Sequence, residues 1–144
     1  MSVGQFCVRN VVTVPPTITV EAAAACMATE KVGALVVVED RKPVGIVTDR
    51  DLVVRAVAKH LSPHQTAVHA VMTPRPICVT EDTPLEGAME CMKFYRLRRL
   101  VVLNEAQEVV GVMTLDDLLA LLVEERQALA AITEVMGATR HERL

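Results

Sequence analysis

Apolar and polar positions follow one another in the same order twice along the chain. A short apolar run precedes a segment with helical spacing, two further apolar runs flank a polar turn, and a second helical segment follows. Short runs rich in valine, isoleucine and leucine between turn residues predict buried strands. These predicted strands are 11–14, 34–38 and 44–47 in the first half, and 77–79, 100–103 and 109–113 in the second. The order β-α-β-β-α therefore occurs twice, which predicts an α+β fold.

Alignment of the two halves supports a duplication. A shift of 65 or 66 positions places VEAAAACMA (20–28) on LEGAMECMK (85–93), and GALVVVEDRKPVGIVTDRDL (33–52) on RRLVVLNEAQEVVGVMTLDDL (98–118). One such unit cannot cover both faces of its own sheet, so we expect the two copies to pack as one body. We divide the chain into a first repeat, a connecting segment, a second repeat and a C-terminal helical extension with a tail: 8–58, 59–70, 71–123 and 124–144.

Local signals predict where several helices begin and end. Thr83-Pro84-Leu85-Glu86 has the form of a capping box with proline at the first helical position, and predicts a helix start. The helix that closes the first repeat is predicted over about 49–58. The last helix is predicted to run from about Leu115 to Met136, with Gly137 as its C-terminal stop.

Composition and charge narrow the function classes. The 144 residues carry a formal net charge of −3 and only 2% aromatic residues. Proteins that bind nucleic acid normally carry a basic excess or stacking aromatic side chains, so a nucleic-acid partner is not expected. We find no catalytic triad, phosphate-binding glycine loop or metal-ligand cluster, and expect neither an enzyme nor a required cofactor. No stretch is apolar enough for a membrane helix and no leader is evident, which predicts a soluble cytoplasmic protein.

One repeated motif carries the candidate chemistry. GIVTDRDL (45–52) and GVMTLDDL (111–118) share Gly, Thr, Asp and Leu at the same spacing. A carboxylate on the first turn of a helix can accept hydrogen bonds from both hydroxyls of a ribose, and the threonine hydroxyl can reach the same sugar. The same spacing is also that of a helix N-terminal capping box, and both explanations stay open. The candidate residues are Thr48, Asp51, Thr114 and Asp117.

The tandem order, with its two G-[IV]-[VM]-T-x-x-D-L motifs, resembles the cystathionine-β-synthase (CBS) domain pair. VMTPRPICV (71–79), VGALVVV (32–38) and RRLVVL (98–103) strengthen the resemblance, which covers about Val8 to Leu122. It implies a pseudo-twofold pair of repeats with a regulatory role. It also implies an adenosine-containing ligand (AMP, ADP, ATP or S-adenosylmethionine) in clefts between the repeats, a homodimer and an unknown regulated partner. The alternative is a structural or protein-interaction pair without a functional ligand site. Single-stranded nucleic-acid binding is a remote further alternative, kept open only by the arginines between Arg96 and Arg99.

The resemblance also places the remaining candidate site residues. Arg98 and Arg99 would begin the middle strand of the second copy, and we expect Arg99 to bind the phosphates of a ligand whose ribose rests on Asp51. The alternative for these arginines is an exposed charged edge. Aliphatic residues would enclose the adenine ring, with ordinary core packing as their alternative. They are Val12, Val32, Gly33 and Ala34 at one site, and Pro76, Ile77 and Leu97 at the other.

Overall fold

The computed structural model describes residues 1–142 of the chain, with side chains described as far as Gly137. In chain order the main elements are α1 (Val3–Phe6), β1 (Thr13–Val14), α2 (Val20–Glu30), β2 (Ala34–Glu39), β3 (Lys42–Thr48), α3 (Asp49–Asp51), β4 (Thr73–Pro74), β5 (Cys78–Thr80), α4 (Leu85–Tyr95), β6 (Arg99–Leu103), β7 (Val109–Thr114) and α5 (Leu115–Glu142). Helix α3 continues as a π-helical segment, Leu52–Val57, and a 3₁₀ turn occupies Val68–Ala70.

Two small sheets carry the two halves of the chain. Strands β1, β2, β3 and β4 form one sheet in that order, and β5, β6 and β7 form the other. In each sheet the first strand runs parallel to the second, and the second runs antiparallel to the third. The predicted α+β fold with two tandem repeats is therefore confirmed. The predicted strands end within two residues of the observed ones, a common margin for element boundaries.

Alternate residues of the middle strands pack into different layers. Leu35 on β2 packs with the helices of the first repeat, and Leu100 on β6 does the same in the second. Their neighbours Val36 and Val101 instead lie between the two sheets, together with Leu103. Successive side chains of a strand point to opposite faces, so each sheet is buried on both. This double burial explains why the strands are continuous apolar runs.

The segment that precedes each repeat packs against the other repeat. Val3 in α1 is fully buried in the core of the second repeat, and its amide donates to the Thr83 carbonyl. Val68, at the corresponding place before the second repeat, is fully buried in the core of the first. Strand β4, which the pattern did not predict, adds to the edge of β3 at Gly45 and Ile46. Each core is thus completed by a residue from the segment that precedes the other repeat.

The predicted capping box at residues 83–86 was wrong. Helix α4 starts at Leu85 with Pro84 as its N-cap, and no side chain caps it. The hydroxyl of Thr83 instead accepts a hydrogen bond from the Thr80 amide at 3.2 Å. This hydroxyl therefore stabilises the turn that ends β5 and does not cap α4.

The predicted stop of the last helix at Gly137 was also wrong, because α5 continues to Glu142. A glycine ends a helix by adopting the left-handed conformation, and no glycine in the described part of the chain has a positive φ. Inside a helix a glycine costs only about 1 kcal/mol relative to alanine, which is too little to end a long helix.

Candidate functional site

A cleft of about 220 Å³ lies between the two repeats. Most of its wall is aliphatic, with a small number of polar groups, which is the usual composition of small-molecule sites. It is lined by Val8, Asn10, Val11, Val12, Val32, Gly33, Ala34, Val36 and Ile46 from the first half of the chain, and by Arg99, Val112 and Thr114 from the second. The structure thus brings six of the predicted site residues together: Val12, Val32, Gly33, Ala34, Arg99 and Thr114.

Arg99 supplies the positive charge of the cleft. It is the first residue of β6 and pairs with Thr114, the last residue of β7. Its Nη2 lies 3.8 Å from the position that a Cβ on Gly33 would take, so the guanidinium reaches across to the first repeat. Within residues 1–137 its guanidinium forms no ion pair with a carboxylate. A guanidinium without a carboxylate partner, in a mostly aliphatic cleft, is well suited to bind an anion.

Arg98 lies on the other side of the second repeat. Its Nη2 is 3.8 Å from Asp116 Oδ1, its side chain is 74% exposed, and it borders a groove between α4 and α5. Arg98 lies in the bend before β6 and lines that groove, whereas Arg99 begins the strand and lines the cleft. Arg98 therefore matches the alternative stated for these arginines, which is an exposed charged edge and not a ligand contact.

Both threonine–aspartate pairs form reciprocal caps at a strand–helix junction. Thr48 Oγ1 accepts from the Asp51 amide at 3.2 Å, and Asp51 Oδ2 accepts from the Thr48 amide at 2.9 Å. Thr114 and Asp117 repeat this arrangement at 3.1 and 3.4 Å. The other carboxylate oxygens of the two aspartates have different surroundings. Asp51 Oδ1 lies 3.8 Å from Arg55 Nε, whereas Asp117 Oδ1 has no partner in the described part of the chain. Since a carboxylate has two acceptor oxygens, capping leaves one for a ligand.

The cleft combines the two halves differently from the pairing that we expected. We expected Arg99 to act with Asp51, but Thr114 lines the cleft beside Arg99. None of Thr48, Asp51 and Asp117 is part of the cleft wall. The reason is the register of the second sheet, in which Arg99 and Thr114 are direct partners. Which aspartate receives a ribose stays a prediction.

The residues predicted for a second site lie outside this cleft. Ile77 and Leu97 pack against the core of the second repeat. This is the ordinary core packing that we gave as the alternative to a role in ligand binding. Leu97 also lines the groove between α4 and α5. The Pro76 carbonyl accepts a hydrogen bond from Cys78 Sγ at 3.3 Å.

Sequence reasoning missed two polar groups near the guanidinium of Arg99. Asn10 lines the cleft with an amide that can both donate and accept. Asp49 Oδ2 lies 3.3 Å from the position that a Cβ on Gly33 would take, so a carboxylate also stands at this point. No pattern marked Asn10, which precedes an apolar run. Asp49 was visible only as the residue after the motif's threonine.

The comparisons agree with this architecture, because the family model of the CBS domain matches residues 3–57 and 68–124. The chain belongs to the CBS domain family. It is 31% identical over 140 residues to the CBS domain-containing protein YhcV of Bacillus subtilis, with 97% of this chain and 99% of that protein covered. The resemblance to a tandem CBS pair is therefore confirmed.

Two solved structures are similar to this CBS pair. One is a CBS domain protein from Pyrobaculum aerophilum in complex with AMP, at 31% identity and a TM-score of 0.76, with 86% of this chain and 97% of that chain covered. The other is an uncharacterized conserved protein from Pyrococcus horikoshii, at 29% identity and a TM-score of 0.73, covering 83% and 89%. No helix in the described part of this CBS pair is long and apolar enough to cross a membrane.

Proposed function

We propose that this CBS pair is a regulatory module that binds an adenosine-containing ligand, with AMP as the first candidate, in the cleft between its repeats. One observation carries the proposal: the guanidinium of Arg99, without a carboxylate partner, enters a mostly aliphatic cleft beside Thr114. The similar protein from Pyrobaculum aerophilum was solved in complex with AMP, which supports a nucleotide as the ligand.

The chemistry of the cleft divides between the parts of such a ligand. The aliphatic side chains of Val12, Val32 and Ala34 suit the two faces of an adenine ring. Arg99 suits the phosphate, because a planar guanidinium can donate two parallel hydrogen bonds to phosphate oxygens. Asp117, capped on one oxygen by the Thr114 amide, would accept from the ribose hydroxyls with the other.

The size and charge of the cleft rank the adenosine-containing candidates. Its volume of about 220 Å³ lies below the roughly 300–1,000 Å³ of pockets that enclose drug-sized ligands. A mononucleotide therefore fits better than a dinucleotide such as NAD. An arginine that forms no ion pair also favours a phosphate over the sulfonium centre of S-adenosylmethionine. We accordingly expect AMP and ADP to bind more tightly than NAD or S-adenosylmethionine.

Two neighbouring arginines provide a matched test by isothermal titration calorimetry. Wild-type protein titrated with AMP should give a dissociation constant below 1 mM, and Arg99→Gln should weaken it by about 10-fold or more, since hydrogen bonds to charged groups contribute roughly 1.5–3 kcal/mol. Arg98→Gln removes the same charge one residue away and should leave AMP affinity unchanged. The absence of heat with AMP, ADP, ATP, NAD and S-adenosylmethionine would remove the proposal, as would equal effects of the two variants.

Signalling to a partner protein requires that the ligand prefer one conformation of the pair. A ligand shifts such an equilibrium only through different affinities for the two states. Because the cleft joins β2 to β6 and β7, AMP should slow amide hydrogen exchange in both repeats rather than in one. Exchange measured by mass spectrometry with and without AMP checks this, and protection confined to a single repeat would argue against coupling.

A structural or protein-interaction role is the second candidate. It is favoured by the reciprocal caps, which account for both threonine–aspartate motifs without any ligand. Asp117→Asn separates the candidates, because the amide oxygen can still accept from Thr114 while the charge is lost. The nucleotide proposal expects weaker AMP binding with little change in stability, and a purely structural role expects no AMP binding in either protein.

A further inference from the structure

A carboxylate stands beside the guanidinium of Arg99 where the cleft passes in front of Gly33. Asp49 Oδ2 and Arg99 Nη2 lie 3.3 and 3.8 Å from the position that a Cβ on Gly33 would take. Asp49 is an exposed residue, whereas Arg99 is half-buried. Opposite charges therefore flank one point of the cleft, and the negative charge is the more exposed to solvent.

Two hydrogen bonds fix the position of Asp49. Its amide donates to the Gly33 carbonyl at 3.0 Å, and its Oδ1 accepts from the Arg50 amide at 2.8 Å. Within residues 1–137 its Oδ2 accepts no hydrogen bond from another residue, and Asp49 forms no ion pair with Arg99 or any other cation. The two charges are thus not neutralised by direct contact, and Oδ2 stays available to act on a ligand.

The second repeat has no counterpart of this carboxylate. The aligned motifs place Leu115 at the position of Asp49, and Leu115 packs against the core of its own repeat. A helix that starts after the threonine of the motif therefore does not require an acid at this position. An acid in the first turn of a helix also interacts favourably with the helix dipole, so the test below has to separate that structural role from an effect on the ligand.

On the basis of the nucleotide binding proposed above, we infer that Asp49 is a specificity-determining residue that selects a ligand with a single phosphate. A phosphate that Arg99 holds on the side of Gly33 faces Asp49 Oδ2. Each further phosphate brings more negative charge to the same exposed side of the cleft, where the carboxylate repels it. AMP carries the least of this charge, so Asp49 disfavours ADP and ATP more than AMP.

The other charges of the cleft do not offset this repulsion. Arg99 is the one charged residue among the described residues that line the cleft. Its planar guanidinium is well matched by two oxygens of the first phosphate, which leaves less of it for a second. Because Asp49 is exposed, solvent and salt screen its charge, so the selection should weaken as the ionic strength rises.

Calorimetric titration of the full-length chain with AMP, ADP and ATP at low salt tests the inference, with EDTA present so that no divalent cation masks the phosphates. Wild type should bind AMP more tightly than ADP, and ADP more tightly than ATP. Asp49→Asn keeps an oxygen for the Arg50 amide but loses the charge. It should lower the ratio of the ATP to the AMP dissociation constant at least about fivefold, and added salt should shrink this change.

The matched control is Asp116→Asn. It removes the same charge from the first turn of α5, where Asp116 lies beside Arg98 and outside the cleft. Its ratio of dissociation constants should stay that of wild type.

The possible failures are distinguishable from one another. A purely structural role of Asp49 would lower the midpoint of thermal unfolding of Asp49→Asn and leave the ratio unchanged, which overturns the inference. An equal change of the ratio in Asp116→Asn overturns it too. If AMP binds to wild type and only the ratio fails to move, the inference alone is wrong. If no nucleotide binds to wild type, the proposed function is wrong as well.

Discussion

The guanidinium of Arg99 lies against the backbone of Gly33 in the opposite repeat, with Nη2 3.8 Å from the position of a Cβ at that residue. Gly33 does not have a left-handed backbone conformation, since no described glycine has a positive φ. The glycine therefore leaves an open space in the cleft, bordered by Asp49 Oδ2 at 3.3 Å and by the guanidinium of Arg99 at 3.8 Å.

Gly33→Leu should weaken AMP binding at least 10-fold without unfolding the protein. A leucine side chain would fill the cleft beside Arg99, while the backbone there accepts any L-residue without strain. We expect calorimetry to give a dissociation constant for AMP at least 10-fold higher than that of wild type. The midpoint of thermal unfolding should change by only a few degrees.

Gly33→Ala is the control for that substitution. A single methyl group would stand 3.3 Å from Asp49 Oδ2 and 3.8 Å from Arg99 Nη2, which small side-chain movements can accommodate. AMP affinity should therefore change by less than about threefold. If Gly33→Leu binds AMP as wild type does, the nucleotide does not occupy this cleft.

Thr48→Val should destabilise the protein by about 1 kcal/mol, the usual cost of losing an N-cap. The substitution removes the oxygen that accepts from the Asp51 amide at 3.2 Å and leaves that donor half-buried. Thr48→Ser keeps the oxygen and should stay within about 0.5 kcal/mol of wild type. Urea unfolding of the three proteins measures the difference, and equal losses for valine and serine would show that the cap contributes nothing.

Features that depend on local periodicity could be predicted from the sequence. The duplication, the strand order and the start of the helix at Asp49 all follow from apolar spacing and from motifs whose parts are close in the chain. The grouping of Val12 with Ala34 at one adenine site came from the family resemblance, not from spacing, and the sequence did not indicate that Arg99 lines the same cleft. No local pattern could show that Arg99 and Arg98 face different sides of the repeat.

Features that depend on contacts between distant segments could not be predicted. The polar composition of residues 59–70 predicts a simple connection, yet Val68 is fully buried in the first repeat. A single valine in a polar segment gives no periodicity, and only its counterpart Val3 in the other core reveals its role. Our boundaries at 58 and 70 stay a prediction, and the family model begins its second match at residue 68.

Cys78 should make the protein less stable in alkaline solution. Burial raises the pKa of its thiol above the ordinary value, because the charged thiolate is poorly solvated there. Below the pKa of the unfolded chain, about 8.5, this contribution is fully present. It is lost as the pH rises from there through the higher folded-state pKa, because the unfolded chain gives up the proton first.

The comparison with Cys78→Ala isolates that contribution. Between pH 8 and 10 the free energy of unfolding of Cys78→Ala should fall less steeply than that of wild type, as measured by urea unfolding at fixed pH. Cys7, whose pKa is also raised by burial, remains in both proteins and cancels in the comparison. Parallel profiles would mean that the thiol of Cys78 has the same pKa in the folded and unfolded states, against the prediction.

Gly45 and Met72 test whether the start of the second repeat lies on β3 of the first. A Cβ on Gly45 would overlap Met72 Sδ and stand 2.9 Å from its Cγ, because the chain before β4 lies directly over β3. Gly45→Ala should therefore cost about 1–3 kcal/mol by overpacking. Met72→Ala alone should also destabilise, since its half-buried side chain packs against the first core. Combined, the two changes should cost at least about 1 kcal/mol less than their sum, because the alanine at 72 removes the overlap. Urea unfolding of the four proteins gives this coupling energy, and strict additivity would mean that the start of the second repeat does not lie on β3 in solution.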